Sequence, residues 1–186
     1  CYWETMMTET KHDMVMPHLC SEFFLWICYA SENGLGRLGV EQKRGQETIQ
    51  LEILFWIEDR ISFRNPAEEQ TRAVVTGDSL FQTQEAAAAL SSGKMIQDLR
   101  LHLRVDEREY SLTLKSPYLD ISSLKFPEHE KSDDEALILE RMWLYNEVNF
   151  VLESLYQYFT ELRLSEEWNK EILPKIRDWV HGVEVF

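Results

Sequence analysis

The hydrophobic residues of the chain change their spacing from one segment to the next, and the first clear pattern is helical. Between His18 and Ser31 apolar side chains recur every three or four positions, and further aromatic residues widen the apolar arc. This pattern predicts a helix that is buried on more than one side and ends at the following glycine-containing turn. Residues 1–17 show no such period, so we expect them to form a linker or a tail within a longer protein, of which the chain is the C-terminal part.

An alternation of apolar and polar residues follows, which is typical of strands in an antiparallel sheet. It extends over the segment TIQLEILFWIED, residues 48–59. We predict a strand there and two more strands at Ile61–Arg64 and Arg72–Gly77. The turn-prone pair Asn65-Pro66 and a polar loop would separate the last two.

A short helix and a hairpin are predicted in the middle of the chain. In TQEAAAALSSG the Thr83 hydroxyl is a suitable N-cap, the alanines favour a helix, and Gly93 suits its end. Leucines then alternate with polar residues up to a charged turn, Asp106–Glu109, and the alternation resumes after it. This pattern predicts a hairpin with an apolar and a polar face, followed by an extended piece at Tyr118–Phe126.

The C-terminal third has a helical period. Ser132 and Glu135 match a capping box, and apolar residues then step by threes and fours for some 30 residues, which corresponds to about 45 Å of helix. Because such a helix is longer than a small sheet, we expect part of it to pack on a partner. Ser165 is predicted to cap a shorter helix that runs to about His181, with a kink at Pro174.

Together these elements predict an α+β fold, in which an antiparallel sheet packs with helices and a long C-terminal helix pair. We expect residues 18–130 to form a mixed helix and sheet domain, and residues 131–186 to form a helical segment packed on it.

The composition is that of a globular protein, with 44% hydrophobic and 12% aromatic residues among 186. No apolar run is long enough to span a membrane and no signal peptide is visible, so we expect a cytoplasmic location. The three cysteines, Cys1, Cys20 and Cys28, do not form an even disulfide framework or a zinc pattern. We expect free thiols in a reducing compartment.

The net charge of −14 is unevenly distributed along the chain. Residues 1–36 carry −4, residues 37–125 carry −2, and residues 126–186 carry −8. The acidic residues therefore lie mostly at the two ends, while the predicted sheet region is almost neutral. Such a sheet still has a basic face if its acidic side chains point elsewhere.

No catalytic motif is found. The pair Gly93-Lys94 is not part of a phosphate-binding loop, because the glycine five residues upstream and the hydroxyl residue after the lysine are both absent. The five histidines do not cluster in the sequence, and no serine-hydrolase or zinc-protease motif occurs. We therefore predict a protein that is not an enzyme and has no cofactor or metal.

The region around Lys94 has two interpretations. In the first, Gly93 ends a helix and Lys94 is a solvated charge near the helix C-terminus. In the second, Lys94 contacts a phosphate, and Arg100, His102 and Arg104 line one strand face at a repeat of about 6.6 Å, close to the phosphate spacing of a DNA strand. The sequence pattern by itself favours the first.

The order of these elements resembles the C-terminal half of the recombination-associated RdgC family. The sharpest part is Val75–Phe126, where an acid and alanine helix, a Gly-Lys turn, alternating strands and a Lys-Phe pair follow one another: GDSLFQTQEAAAALSSGKMIQDLRLHLRVDEREYSLTLKSPYLDISSLKF. SEFFLWICYASENG and LSEEWNKEILPKIRDW are similar to further parts of the family, so the resemblance extends over residues 18–181.

The resemblance implies a sequence-nonspecific protein that binds double-stranded DNA, forms ring-shaped homodimers and restrains recombination. Lys94, Arg100 and Arg104 would then face DNA phosphates, and the protein would be associated with the nucleoid. The acidic charge supports an alternative, in which the domain is a protein-interaction module of a regulatory or defence protein. In that case the helix at 132–164 would meet a basic protein partner.

Overall fold

The computed structural model describes residues 17–44, 47–65, 68–77, 83–128 and 134–180, and shows the predicted α+β fold. Six antiparallel strands form a single sheet, and helices pack against it. The strands are β1 Arg37–Arg44, β2 Glu47–Asn65, β3 Glu68–Thr76, β4 Met95–Val105, β5 Arg108–Lys115 and β6 Asp120–Lys125. The helices are α1 Pro17–Glu32, α2 Gln84–Ser91, α3 Asp134–Leu164 and α4 Leu173–Val180.

The sheet has the order β1-β2-β4-β5-β6, and β3 also pairs with β2. Strand β2 has 19 residues, so one of its edges accommodates both β1 and β3 while β4 pairs along the other. Strand β4 thus lies in the interior of the sheet, with β2 and β5 on its two sides.

The prediction of a separate strand at Ile61–Arg64 was wrong, because these residues belong to β2. The polar residues Glu58, Asp59 and Arg60 interrupt the apolar alternation but not the strand, since they form a bulge. Strand β1 was not predicted, because its sequence RLGVEQKR has only two large apolar residues. The predicted strand at Arg72–Gly77 corresponds to β3.

Among the described residues the strand pairing has four register shifts, one of them between β2 and β3 at Arg64/Asn65. The other three are bulges in β2, β4 and β6. In β2 the three residues 58–60 lie opposite the single residue Arg100 of β4. In β4 the extra residue is Gln97, and in β6 it is Ser123, whose φ of 52° lies in the left-handed region. A bulge bends its strand and redirects side chains, so these positions determine which residues meet on the sheet surface.

The helices cover one face of the sheet, which we call the inner face, and leave the other, outer face exposed. Helix α1 contacts β2, β4, α3 and α4, and its aromatic residues Phe23, Phe24 and Trp26 are buried in the core. The inner face of β4 contributes Leu99, Leu101, Leu103 and Val105, all fully buried. The core therefore lies between the sheet and α1, as the apolar pattern of both predicts.

Helix α3 has 31 residues, which confirms the predicted long helix. Its predicted capping residue Ser132 lies outside the described residues. The Ser165 hydroxyl accepts a hydrogen bond from the Trp168 N–H at 3.4 Å, in agreement with the predicted cap. A π-helical turn, Trp168–Ile172, lies directly before α4, and Pro174 is the second residue of α4. The kink at Pro174 stays a prediction.

The ends of α2 also follow the sequence. The Thr83 hydroxyl accepts a hydrogen bond from the Ala86 N–H at 3.3 Å, and Gly93 has a φ of 77° just after the helix. Cys20 and Cys28 are buried free thiols, as expected, while Cys1 lies outside the described residues. The division into residues 18–130 and 131–186 stays a prediction, and side chains from both ranges share one hydrophobic cluster.

Candidate functional site

The outer face of β4 carries Arg100, His102 and Arg104, as the alternation predicts. Leu101 and Leu103 between them are fully buried on the inner face. His102 and Arg104 have register partners in both β2 and β5, whereas Arg100 pairs with Thr113 of β5 and lies opposite the bulge of β2. The surroundings of these residues therefore depend on what β2 and β5 place beside them.

Arg100 is neutralised by two acidic residues of the β2 bulge. Its Nε lies 3.3 Å from Oε2 of Glu58, and its Nη1 lies 3.4 Å from Oδ1 of Asp59. Both carboxylates meet the same guanidinium because the bulge places three residues opposite one. Arg100 is thus part of a local charge cluster, and its charge is not freely available to a phosphate.

His102 is held between an aromatic ring and a carboxylate. Its imidazole stacks on the Trp56 indole with the ring centroids 4.3 Å apart, and its Nδ1 lies 2.9 Å from Oε1 of Glu58. Its Nε2 lies 3.6 Å from Glu109, beyond hydrogen-bond distance. The side chain is half-buried, so His102 contributes to the packing of the outer face more than the sequence indicated.

Arg104 and Lys94 have other environments. Arg104 is exposed, and among the residues described it has no ion pair within 4.0 Å, although Glu109 is its register partner in β5. Lys94 precedes β4, and its N–H donates to the Ala89 carbonyl at the end of α2. Because the Gln97 bulge breaks the alternation, the structure does not place Lys94 in one row with Arg100 and Arg104.

A second candidate surface lies on the N-terminal segment of α3, residues 135–146. Only Leu144 is buried there, whereas the later part of the helix buries Val148, Val151, Leu155 and Phe159. A helix of this length spans about 46 Å, so only its second half is needed to cover the core. Apart from Leu144, the N-terminal segment does not take part in the packing of the core.

Large apolar side chains cover this segment. Ile138, Met142 and Tyr145 have the spacing i, i+4, i+7 and form one line along the helix, while Leu139 and Trp143 form a second line. Ile138 and Leu139 are 59% and 66% exposed, which is unusual for such residues in a packed helix. We call these five residues the apolar stripe.

The base of this segment is fixed by a buried ion pair. The Nε and Nη2 atoms of Arg108 donate to the Glu147 carboxylate at 2.8 and 2.7 Å, and the Tyr110 hydroxyl also donates to it, at 2.5 Å. Arg108 lies over the Trp143 ring, 4.8 Å from its centroid. These contacts connect α3 to β5 at the point where its buried part begins.

The burial of this cluster shifts its ionisation. Burial and the neighbouring Glu147 carboxylate both raise the pKa of Tyr110. Burial acts to lower the pKa of Arg108, but the hydrogen bond and the charge of Glu147 raise it overall. Arg108 is therefore protonated and Tyr110 neutral at ordinary pH.

Sequence reasoning missed this cluster, although a signal was present. Glu147 is adjacent to Val148 and three residues after Leu144, so it lies in phase with the buried side of α3. A charged residue at such a position needs a partner, because an unpaired buried charge is strongly unfavourable. Which basic residue serves as partner depends on the packing of α3 against β5, and the sequence pattern does not contain that information.

Other kinds of site receive no support from the part of the chain that the structure describes. Within it, no group of three or more His, Cys, Asp or Glu side chains is arranged to hold a metal ion. No described helix has the length and apolar character needed to cross a membrane.

Comparisons with known proteins do not identify a family for this chain. No family model matches the chain, and no match was found among curated proteins or solved structures. The similarity to RdgC proteins therefore rests on the residues quoted above and stays a prediction.

Proposed function

We propose that this domain is an acidic protein-interaction module, and that its N-terminal segment of α3 inserts the apolar stripe into a groove on a basic partner. The observation that carries the proposal is the exposure of five large apolar side chains on a helix whose other half is buried. Contiguous exposed apolar surface of this kind is typical of interaction sites.

The spacing of the stripe matches a common mode of recognition. Ile138, Met142 and Tyr145 follow the i, i+4, i+7 pattern with which an amphipathic helix occupies a hydrophobic groove. In this arrangement the helix is supplied by our chain and the groove by the partner. The aromatic rings of Trp143 and Tyr145 add the residue types that dominate binding energy at interfaces.

Charge favours a basic partner over a second copy of the chain. The chain has a net charge of −14, and residues 126–186 alone carry −8. Two copies meeting through α3 would bring like charges together, whereas basic residues around a partner's groove would be attracted. We therefore propose that the partner of the apolar stripe is a basic protein.

The helix is already ordered in the domain without a partner. Its second half packs in the core, and the Arg108–Glu147 ion pair fixes it to β5. A helix that is already ordered loses less conformational entropy on association than a disordered peptide does. Association of this segment with a partner therefore requires no coupled folding of the helix.

The experiment combines site-specific crosslinking with variants. A photoreactive amino acid at position 139 should crosslink, in a lysate of the source cell, to a protein with a basic patch, whereas the same group at Leu164 should not. Leu164 is 82% exposed at the far end of α3, so it is a matched control. The purified partner should then bind the double variant Ile138→Ser/Met142→Ser at least about tenfold more weakly than Leu164→Ser.

Two outcomes would contradict the proposal. One is equal binding of the partner to both variants, which would separate binding from the stripe. The other is a crosslink at position 139 to a second copy of this chain, together with a dimer in sedimentation that the double variant abolishes.

Binding of duplex DNA by the outer face of the sheet is a second candidate function. The observation that favours it is the exposed side chain of Arg104, which has no ion pair among the described residues. The carboxylates beside Arg100 act against it, because they repel a phosphate backbone. For this reason we place DNA binding after protein binding.

A further inference from the structure

The outer face of the sheet contains a polar cavity that shares only Arg100 with the DNA-binding residues named above. Its volume is about 390 Å³, within the range of small-molecule sites, roughly 300–1,000 Å³. Three basic side chains line it, Arg60 of β2, Arg100 of β4 and Lys115 of β5. With Ser122 and Ser123 of β6, the cavity spans four neighbouring strands.

Three of the register shifts in the sheet, the bulges of β2, β4 and β6, contribute residues to this cavity. Arg60 belongs to the bulge of β2, Gln97 is the extra residue of β4, and Ser123 is the extra residue of β6. Bulges are enriched beside functional sites, where they redirect a side chain that regular pairing would place elsewhere. Three of them around one cavity indicate that the sheet is locally shaped for a ligand.

The charges in the cavity are suited to an anion. Arg60 and Lys115 have no ion pair within 4.0 Å in the described part of the chain, and they approach the cavity from strands on opposite sides of β4. Arg100 is held in place by Glu58 and Asp59 and adds a fixed guanidinium between them. Arg60 and Lys115 thus offer two cations with which a single phosphate group can form charge-assisted hydrogen bonds.

Hydroxyl groups and one carboxylate complete the lining. Thr113 and Ser123 supply hydroxyl donors from β5 and β6, whereas the Ser122 hydroxyl donates to the Thr113 carbonyl at 3.5 Å. Asp98 accepts a hydrogen bond from the Ser62 hydroxyl at 2.7 Å, which orients its carboxylate within the cavity. A carboxylate next to cations suits a ligand that carries hydroxyl donors as well as a phosphate.

We propose that this cavity binds a small phosphorylated polyol, such as a sugar phosphate or a nucleotide. Arg60 and Lys115 would hold the phosphate, and the hydroxyls of Thr113 and Ser123 would donate to its oxygens. Asp98 would accept from the hydroxyls of the ligand. A small ligand fits better than a nucleic acid, because Glu58, Asp59 and Asp120 near the cavity would repel the neighbouring phosphates of a polyanion.

Calorimetric titration of the purified chain with ribose 5-phosphate, inorganic phosphate and ribose tests the proposal. Ribose 5-phosphate should bind most tightly, inorganic phosphate more weakly, and ribose without measurable heat. Arg60→Gln and Lys115→Gln should each weaken ribose 5-phosphate about tenfold, as expected for the loss of a charge-assisted hydrogen bond. Arg177→Gln makes the same charge change at an exposed site of α4 and should leave binding unaltered.

Asp98→Asn tests the polyol half of the ligand. It keeps the size of the side chain and an acceptor for Ser62, but removes the charge. It should lower the affinity for ribose 5-phosphate, while the affinity for inorganic phosphate should be unchanged or higher. Circular dichroism and thermal melting of every variant would show that each one is folded.

Several results would overturn the assignment. They are the absence of binding of both phosphate compounds at millimolar concentration, equal weakening by Arg177→Gln and Arg60→Gln, and equal affinities for ribose 5-phosphate and inorganic phosphate. Binding of a short DNA duplex that depends on Arg60 and Lys115, without binding of ribose 5-phosphate, would assign the cavity to nucleic acid instead.

Discussion

Glu147 on α3 and Arg108 on β5 form a two-point ion pair, with N–O distances of 2.8 and 2.7 Å, in which the two side chains differ sharply in exposure. The Glu147 side chain is 1% exposed, whereas that of Arg108 is 34% exposed. The carboxylate therefore depends on the protein for its hydrogen bonds, while the guanidinium retains some contact with water.

This asymmetry predicts unequal effects of mutation. Arg108→Met leaves a charged carboxylate buried without its cationic partner, and we expect it to lower the free energy of unfolding by about 3 kcal/mol. Glu147→Gln removes the charge but keeps an acceptor, and we expect a loss of about 1 kcal/mol. Urea denaturation measures both, and an equal or reversed order would contradict the assignment of Glu147 as the buried member.

Tyr110 predicts a dependence of stability on high pH. Its pKa is raised in the folded protein by burial and by Glu147, while the unfolded chain has the ordinary value of about 10. Above about pH 10 the unfolded state therefore releases a proton that the folded state keeps, so the free energy of unfolding falls as the pH rises.

The matched variant is Tyr110→Phe. We expect it to be less stable than the wild type at pH 8, by about 1–2 kcal/mol, because a buried hydrogen bond is lost. Since Phe does not titrate, its stability should fall less steeply above pH 10, and the two curves should converge. Parallel curves would show that Tyr110 is not the group responsible.

Gly36 is expected to be intolerant of any side chain. A Cβ at this position would collide with the carbonyl oxygen of Phe55, whose N–H donates to the Gly36 carbonyl at 2.8 Å. Gly36→Ala should therefore lower the free energy of unfolding by about 2 kcal/mol. Gly39→Ala in β1 is the control, because its Cβ would meet no atom within 4 Å, and it should change stability much less.

The two buried cysteines should react slowly with thiol reagents. Burial raises the pKa of Cys20 to about 11, and burial together with Glu32 raises the pKa of Cys28 well above its usual value. Since the thiolate is the reactive form, a Cys1→Ser variant should label slowly at pH 8 and rapidly when unfolded. Fast labelling of the native variant would contradict the burial of both thiols.

Duplex binding distinguishes the second candidate function. If the outer face binds DNA, Arg104→Ala should weaken binding more than Arg100→Ala, because Arg100 is already paired with Glu58 and Asp59. The affinity should also fall steeply with salt. Absence of binding, or equal binding by the wild type and the triple variant Lys94→Ala/Arg100→Ala/Arg104→Ala, would exclude this face as a DNA site.

The sequence predicted secondary structure correctly where a single hydrophobic period persists through an element. The long α3, the short α2 with its Thr83 cap, and the hairpin of β4 and β5 all follow from apolar spacing and local capping chemistry. The polar positions Glu58–Arg60 led to a wrong strand boundary, because a bulge interrupts the alternation without ending the strand.

The surroundings of the candidate surfaces, the outer face and the apolar stripe, were less predictable than the elements that carry them. Alternation correctly placed Arg100, His102 and Arg104 on the outer face. Their partners could not be predicted, because the β2 bulge decides that Glu58 and Asp59 lie beside Arg100. Likewise, Ile138 and Leu144 are both apolar residues of α3, and the sequence does not show which one is buried. Leu144 is buried and Ile138 is exposed because the core ends between them.

The ion pair of Glu147 also restricts how α3 can move along the sheet. A slide of the helix by one turn is about 5.4 Å, which would separate the carboxylate from both Arg108 and Tyr110 and leave a charge buried without its partners. An apolar contact at the same place would tolerate such a slide far better. The pair therefore fixes the position of the apolar stripe relative to the sheet. A partner of the kind proposed above would then meet Ile138 and Met142 at the same position in every molecule.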